Sequence, residues 1–231
     1  MSNYLLTALI SIPQEAGYYF PERHFVSISG SSLYSVMIDK LEATEQVGKI
    51  IINTDSDRIR NNYAHSDKVK VINAYQAEPL EIELELTSDK MTAALLEHVQ
   101  GEHFLQLGPI FPFLKHQTID YVIETYIKYV INQEDRSHDS IFTIKTLNRR
   151  YYDSDTDFIR EDRPNTFVED GILHVFNRTA FIAGGNRKVG KSPFACSVDD
   201  TENLAIDSEE NYQLAVLIDK NRHRFPRIFG K

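Results

Sequence analysis

Cysteine is almost absent from this chain, one in 231 residues, and tryptophan is missing altogether. A lone thiol excludes an internal disulfide and any zinc site that needs several thiolates, which suits a reducing compartment. Cys196, inside "PFACSV", has no histidine at a telling spacing and reads as a buried small hydrophobe rather than a nucleophile. The eight histidines include no H-x-x-x-H pair, so no transition-metal site is expected. Positive charge is also short. With 25 Lys and Arg against 34 Asp and Glu the formal charge is -9 and the pI about 5.4, so no global field draws nucleic acid or an anionic membrane surface. The basic run "KNRHRFPR" at 220–227 reads as a solvated tail rather than a nucleic-acid or partner contact. Long apolar runs are lacking as well. "YLLTALISI" ends after nine residues at Pro13, has no basic leader and alternates like a strand. Neither a signal peptide nor a membrane span is expected, and a cytoplasmic protein is.

What is present suits one globular domain over residues 1–231: 42% hydrophobic and 11% aromatic content can fill a sizeable core. Strand-like and helix-like segments alternate. Residues 4–12 predict a strand, and "SSLYSVMIDKLEA" predicts a helix with Leu33, Met37 and Leu41 at helical spacing. "KIIINTD" at 49–55 is a short apolar run suited to a strand buried on both faces, followed by a helix in "SDRIRNNYA". The unit repeats through "KVKVINA", "SDKMTAALLEHV", "EHFLQL" and "QTIDYVIETYIKYVI", the last carrying Ile119, Val122, Ile123, Tyr126 and Ile127 along one stripe. Such alternation implies an α/β fold, a mostly parallel sheet with helices on both faces. Ligands then belong at the carboxyl ends of the strands, on the loops after Ile12, Ile52 and Leu107. From about residue 140 the rhythm changes to "SIFTIK" and "GILHVF" around a polar stretch at 148–170, which is either a surface excursion or a dimer arm.

One motif invites a sharper reading. "GGNRKVGKSPF" at 184–194 spells G-x-x-x-x-G-K-S, the pattern of a phosphate-binding loop, with Gly185, Gly190, Lys191 and Ser192 in register. Such a loop needs a strand before the glycines and a helix opening at Lys-Ser, whose amides and dipole hold the phosphates. Here "NRTAFIA" before it reads as a short helix and "FACSV" after it as a strand. The expectation is a basic turn.

The last long segment, "TENLAIDSEENYQLAVLI" at 201–218, has a sufficient structural reading: Asp207 or Ser208 can cap a helix, with Glu210 placed as in a capping box. It also resembles the E-x-x-D-I-D-[ST]-x-x-D segment of the acylneuraminate cytidylyltransferase family, with Glu202, Ile206, Asp207 and Ser208 matching and Ala205 and Asn211 in place of two aspartates. Other stretches follow in the family's order. "IIINTDSDRI" resembles its strand ending in S-T-D, through Thr54 and Asp55. "FLQLGPIFPFLKHQTID" resembles L-Q-P-T-S-P-L-R-x-x-x-x-I, through Gln106, Pro109 and Pro112, with Phe111 where a hydroxyl residue is usual. "FVEDGILHVF" is similar to the Y-x-E-N-G-x-x-Y strand, and "QEAGYYFPERH" at 14–24 falls where the family has its basic glycine-rich loop, with Gly17 and Pro21 matching, Arg23 standing for a lysine, His24 for an asparagine, Glu15 near the usual arginine and Tyr18 or Tyr19 near a lysine.

The resemblance implies a nucleotide-diphospho-sugar transferase-like fold, a homodimer through an arm at roughly 140–180, and Mg²⁺-dependent transfer of CMP from CTP to a sialic-acid-like sugar acid for surface glycan synthesis. It implies Mg²⁺ on Asp207, triphosphate contacts from Gly17 and Arg23, a nucleotide pocket shaped by Thr54 and Asp55, and a sugar site at Gln106, Pro109 and Phe111. Arg23 and Asp207 are the implied catalytic pair. A catalytically silent relative that binds a sugar nucleotide or a protein partner is the alternative, favoured by the altered residues at 15, 18, 19, 205 and 211.

Overall fold

The computed structural model describes residues 5–16, 20–74, 84–133, 137–146, 151–152, 159–160 and 167–226, with 84–88, 146, 151–152 and 159–160 as backbone only. Strand β1 (Leu6–Ser11) leads through the first loop to a small β2–β3 pair (Ser27–Ile28, Ser31–Ser32) and helix α1 (Leu33–Ala43). Then come β4 (Val47–Asn53), α2 (Asp57–Asn62), β5 (Val69–Ile72), α3 (Leu84–Glu97), β6 (His103–Leu107) and α4 (His116–Tyr126). The chain continues through β7 (Ser140–Thr146), the pair β8 and β9 (Tyr151–Tyr152, Ile159–Arg160), β10 (Phe167–Asn177), α5 (Arg178–Ala183), β11 (Pro193–Ser197) and α6 (Glu209–Lys220).

Seven strands form one sheet in the order β11-β7-β10-β6-β1-β4-β5. Every pairing is parallel except the two made by β10, which runs against β6 and β7. Successive side chains of a strand point to opposite faces, and here both faces are covered. Ala8, Ile10, Ile50, Ile52, Leu105, Leu107, Leu173 and Val175 enter the larger core with α1, α4 and α6. Leu9, Ile51, Phe104 and Phe176 enter the smaller one with Leu95 and Leu96 of α3 and Phe181 of α5. Burial on both sides is why "KIIIN" carries isoleucines consecutively instead of alternating with polar residues.

Two features of the expected arrangement shift. The helix expected through residue 131 is α-helical to Tyr126 and finishes as a wider π turn over Ile127–Ile131. Residues 140–146 and 167–177 belong to the central sheet, so the excursion narrows to the segment carrying β8 and β9, most of which lies outside the described residues.

The sheet order reverses at β1, which has β4 on one side and β6 on the other. Such a switch point opens a crevice at the strands' carboxyl ends. Because β10 is antiparallel, its first residues meet that same edge, with Leu173 opposite Leu107. Gly108 permits this approach. A Cβ there would lie 2.5 Å from the Gly171 carbonyl oxygen and 2.8 Å from the Phe111 ring, closer than any side chain tolerates.

Candidate functional site

After β1 the chain crosses to the neighbouring strand's exit: Ile12 N donates to Asn53 O at 2.8 Å, and Gln14 N to Asp55 Oδ1 at 2.6 Å. Thr54 is fully buried. Its amide bonds Ile72 O, and its hydroxyl oxygen accepts from Ser56 N at 3.0 Å. Thr54 thus fixes the exit of β4 through the backbone, while exposed Asp55 ties the first loop to it. Gly17, Tyr18 and Tyr19 lie outside the described residues.

Arg23 opens a short turn, Arg23–Phe25, further along that loop. What holds the turn is α6. Phe20 and Tyr212 rings meet at 6.0 Å, the Tyr212 hydroxyl donates to Ser27 O, and Asp219 accepts from both the amide and the hydroxyl of Ser29. Docking α6 here sets Asp207, just before the helix, near Arg23. Burial lowers the pKa of the guanidinium, and the Asp207 carboxylate acts against that shift. Arg23 Nε is buried without a hydrogen-bond partner. A charged donor left desolvated and unpaired costs roughly 1–3 kcal/mol or more, and an arriving anion relieves that cost.

The cap of α6 falls on Ser208, whose hydroxyl oxygen accepts from Asn211 N at 3.2 Å. Asp207 therefore stands one residue outside the helix, where its Oδ1 accepts from the Asn211 side-chain amide at 2.8 Å. Ile206 N donates to Ile110 O, which fastens this segment to the loop containing Pro109. Phe111 turns away from the edge: it is 5% exposed and packs in the larger core. Glu202, another residue of the matched segment, is buried, and its oxygens accept from Lys115 N and the Thr118 hydroxyl at the start of α4. It holds a helix end in place.

A second polar group sits on the smaller-core face of the same edge. Gln106 and His174 are register partners on β6 and β10, so their side chains share that face. Thr92 on α3 donates to Gln106 Oε1 at 2.6 Å, and His174 Nε2 lies 2.6 Å from Glu169 Oε1. The carboxylate can only accept, so Nε2 carries the proton. Glu169 is held below the usual carboxylate range, first by that hydrogen bond and further by the charges of His174, Lys188 and Arg187. Lys188, only 6% exposed, pairs with Asp89 at 2.8 Å. Of this cluster the resemblance points to Gln106 alone; Thr92, Glu169, His174 and Lys188 carry no local sign of it. It needs the β6–β10 register and the packing of the 184–192 turn on α3, both long-range facts.

That turn settles the glycine motif. It follows α5 and precedes β11, the reverse of a strand-loop-helix, and its Lys191 and Ser192 amides donate to the Asp139 carboxylate at 2.8 and 3.2 Å. Gly190, with φ of +60°, has no room for a Cβ beside Asp139. The amides that a phosphate would occupy already hold a side chain of the chain itself. Asp139→Ala is expected to lower stability by about 1–3 kcal/mol in urea unfolding, while Lys191→Ala leaves nucleotide binding unchanged in calorimetry. Nucleotide binding abolished by Lys191→Ala would revive the phosphate-loop reading.

Among the described residues no group of three or more His, Cys, Asp or Glu side chains could hold a metal ion, and no helix is long and apolar enough to cross a membrane. Neither a protein-family model nor a curated protein sequence matches the chain. Solved structures do match in fold. A 4-diphosphocytidyl-2C-methyl-D-erythritol synthase from Anaerococcus prevotii DSM 20548 superposes with a TM-score of 0.66 at 14% identity, covering 95% of this chain and 100% of that one. A CMP:2-keto-3-deoxy-manno-octonic acid synthetase complexed with CTP superposes with a TM-score of 0.65 at 7% identity, covering 94% and 99%. The chain has the α/β fold of these cytidylyltransferases.

Proposed function

We propose that this protein transfers CMP from CTP to a sialic-acid-like sugar acid, releasing pyrophosphate. The observation that carries the reading is the docking of α6 against the 20–29 segment, which brings Asp207 within electrostatic reach of Arg23, whose buried Nε has no hydrogen-bond partner. The two structural neighbours are named for cytidyl chemistry, and one was solved with CTP. In the reaction a sugar hydroxyl oxygen bonds to the α-phosphorus, the bond from that phosphorus to the bridging oxygen breaks, and pyrophosphate leaves. Negative charge spreads over the phosphate oxygens, so catalysis rests on fixed positive charge and positioning.

Arg23, desolvated before substrate arrives, receives the phosphates, with Gly17 in the same loop, and Asp207 orients it. Thr54 and Asp55 form the floor of the nucleotide side. Gln106, His174 and Lys188 face the acceptor: an amide and an imidazole suit sugar hydroxyls, and a buried ammonium suits a carboxylate. Pro109 shapes the loop beside Asp207, and Phe111 supports it from the core. The reading carries with it a cytoplasmic homodimer built through the 140–180 segment and a place in surface glycan synthesis. A silent relative that binds a sugar nucleotide or a protein partner is the second reading, favoured by the Asn211 amide occupying part of Asp207.

Pyrophosphate release, measured with CTP and a panel of sugar acids, tests the proposal. Turnover is expected with at least one sugar acid, and Arg23→Gln is expected to lower kcat/KM by roughly 100-fold, the scale for losing one charged transition-state donor. CTP binding without turnover on any acceptor favours the silent relative. Failure to bind any nucleotide in calorimetry overturns both nucleotide readings.

A further inference from the structure

Resting on the nucleotide reading, we infer that the charge balancing the phosphates at this site is Arg23 itself, and that the protein holds no divalent ion of its own, any Mg²⁺ arriving only as part of the nucleotide complex. Mg²⁺ takes an octahedron of oxygens and is held by proteins through one or two carboxylates beside water and phosphate. Asp207 is the exposed carboxylate to which the resemblance assigns the metal, and its Oδ1 already accepts from the Asn211 amide. Residue 205, where the resemblance places a second aspartate, is an alanine packed against the core. Other carboxylates of this region are engaged in part: Asp55 Oδ1 by Gln14 N, Asp199 Oδ1 by the amide and hydroxyl of Thr201, Asp170 Oδ1 by the Thr143 hydroxyl and Ile172 N with its Oδ2 buried and unpartnered, and Glu202 by α4; among the described residues they do not gather into a group that could hold a metal.

Beside this carboxylate stands the cation that the resemblance places in the first loop. The guanidinium of Arg23 neighbours Asp207, which neutralises part of its charge and repels a dication from the same carboxylate. A neutral amide at residue 211 fits this exchange: it donates to Asp207, as no carboxylate could. The pair Arg23–Asp207 is then an anion receptor, aimed by the carboxylate and the packing of α6, with an unpaired buried Nε on its cationic member.

Two titrations on the full chain test this. Mn²⁺ alone, followed by electron paramagnetic resonance, is expected to bind no more tightly than to the Asp207→Asn variant, while the double variant Ala205→Asp/Asn211→Asp gains at least tenfold in Mn²⁺ affinity. CTP, followed by calorimetry, is expected to bind in EDTA within about threefold of its affinity in Mg²⁺, and to lose at least tenfold in Arg23→Gln under both conditions. Mn²⁺ binding by the unaltered protein that disappears in Asp207→Asn overturns the inference. So does CTP binding that vanishes in EDTA, although the nucleotide reading then survives. Absence of CTP binding under every condition removes the nucleotide reading together with the role of Arg23, whereas the Mn²⁺ titration still decides on its own whether the protein holds a metal.

Discussion

Acidification from pH 7 to pH 4 is expected to cost this protein about 3 kcal/mol of stability through one side chain, His24. It is 1% exposed, follows Arg23 in the turn, and its Nδ1 is buried without a hydrogen-bond partner. Burial, and secondly the Arg23 charge, push its pKa down to about 3 from the ordinary 6.5. The folded protein therefore keeps His24 neutral where the unfolded chain already takes up a proton. Between about pH 3 and 6.5 the unfolded state binds more protons, so stability rises with pH across that window and is lost as pH falls through it. Each pH unit is worth up to about 1.4 kcal/mol, which gives the figure above for pH 4. Urea unfolding of the native protein and of His24→Gln at pH 7, 6, 5 and 4 isolates the contribution. The difference between the two should change steadily with pH, and a constant difference would show that His24 does not titrate as its surroundings dictate.

The turn also marks the limit of what the sequence reveals. The strands and helices of the first half are legible because their residues must satisfy local rules: consecutive isoleucines in β4 for a strand buried on two faces, and a 3.6-residue stripe for α4. The direction of β10 is not legible, since "GILHVF" has the same pattern whether it runs parallel or antiparallel. Periodicity alone leaves Glu169 and Asp170 out of the strand, although the matched stretch "FVEDGILHVF" spans them; Asp170 Oδ2 is buried there without a hydrogen-bond partner. Within the site, collinear motifs lead to Arg23 and Asp207, but nothing local says that the two charges act on each other; that depends on α6 docking against the 20–29 segment. Nor can local pattern separate Asp207 from Glu202, two carboxylates of one matched stretch, of which one is exposed and bonded to the Asn211 amide and the other is buried against the start of α4. His174 and Lys188 were invisible for the reason given by their partners, which come from α3 and from the other end of β10.

Arg178→Ala is expected to destabilise the protein by about 2–4 kcal/mol, the largest effect foreseen for a residue remote from the crevice. Its guanidinium donates to Leu96 O, Val99 O and Gly101 O at 3.0, 2.5 and 3.0 Å. These carbonyls lie at the end of α3 and in the turn into β6, where a helix leaves its last carbonyls without intrahelical donors. A cation at a helix C-terminus also meets the negative end of the dipole, and this one lies over the Phe104 ring at 5.1 Å. Hydrogen bonds involving a charged group contribute about 1.5–3 kcal/mol each, discounted here because Arg178 is only half-buried and the freed carbonyls can recruit water. Arg178→Lys keeps the charge but not the planar fork that reaches several acceptors together, so it should restore less than half of the loss. The effect should reach the acceptor side too. α3 carries Thr92 and Asp89, the partners of Gln106 and Lys188, so a loosened α3 releases both. Urea midpoints measure the stability change, and amide hydrogen exchange across 89–99 separates a local loosening of α3 from global unfolding. Unchanged exchange in that segment, with a midpoint shift under about 0.5 kcal/mol, would show that solvent replaces the arginine at no cost.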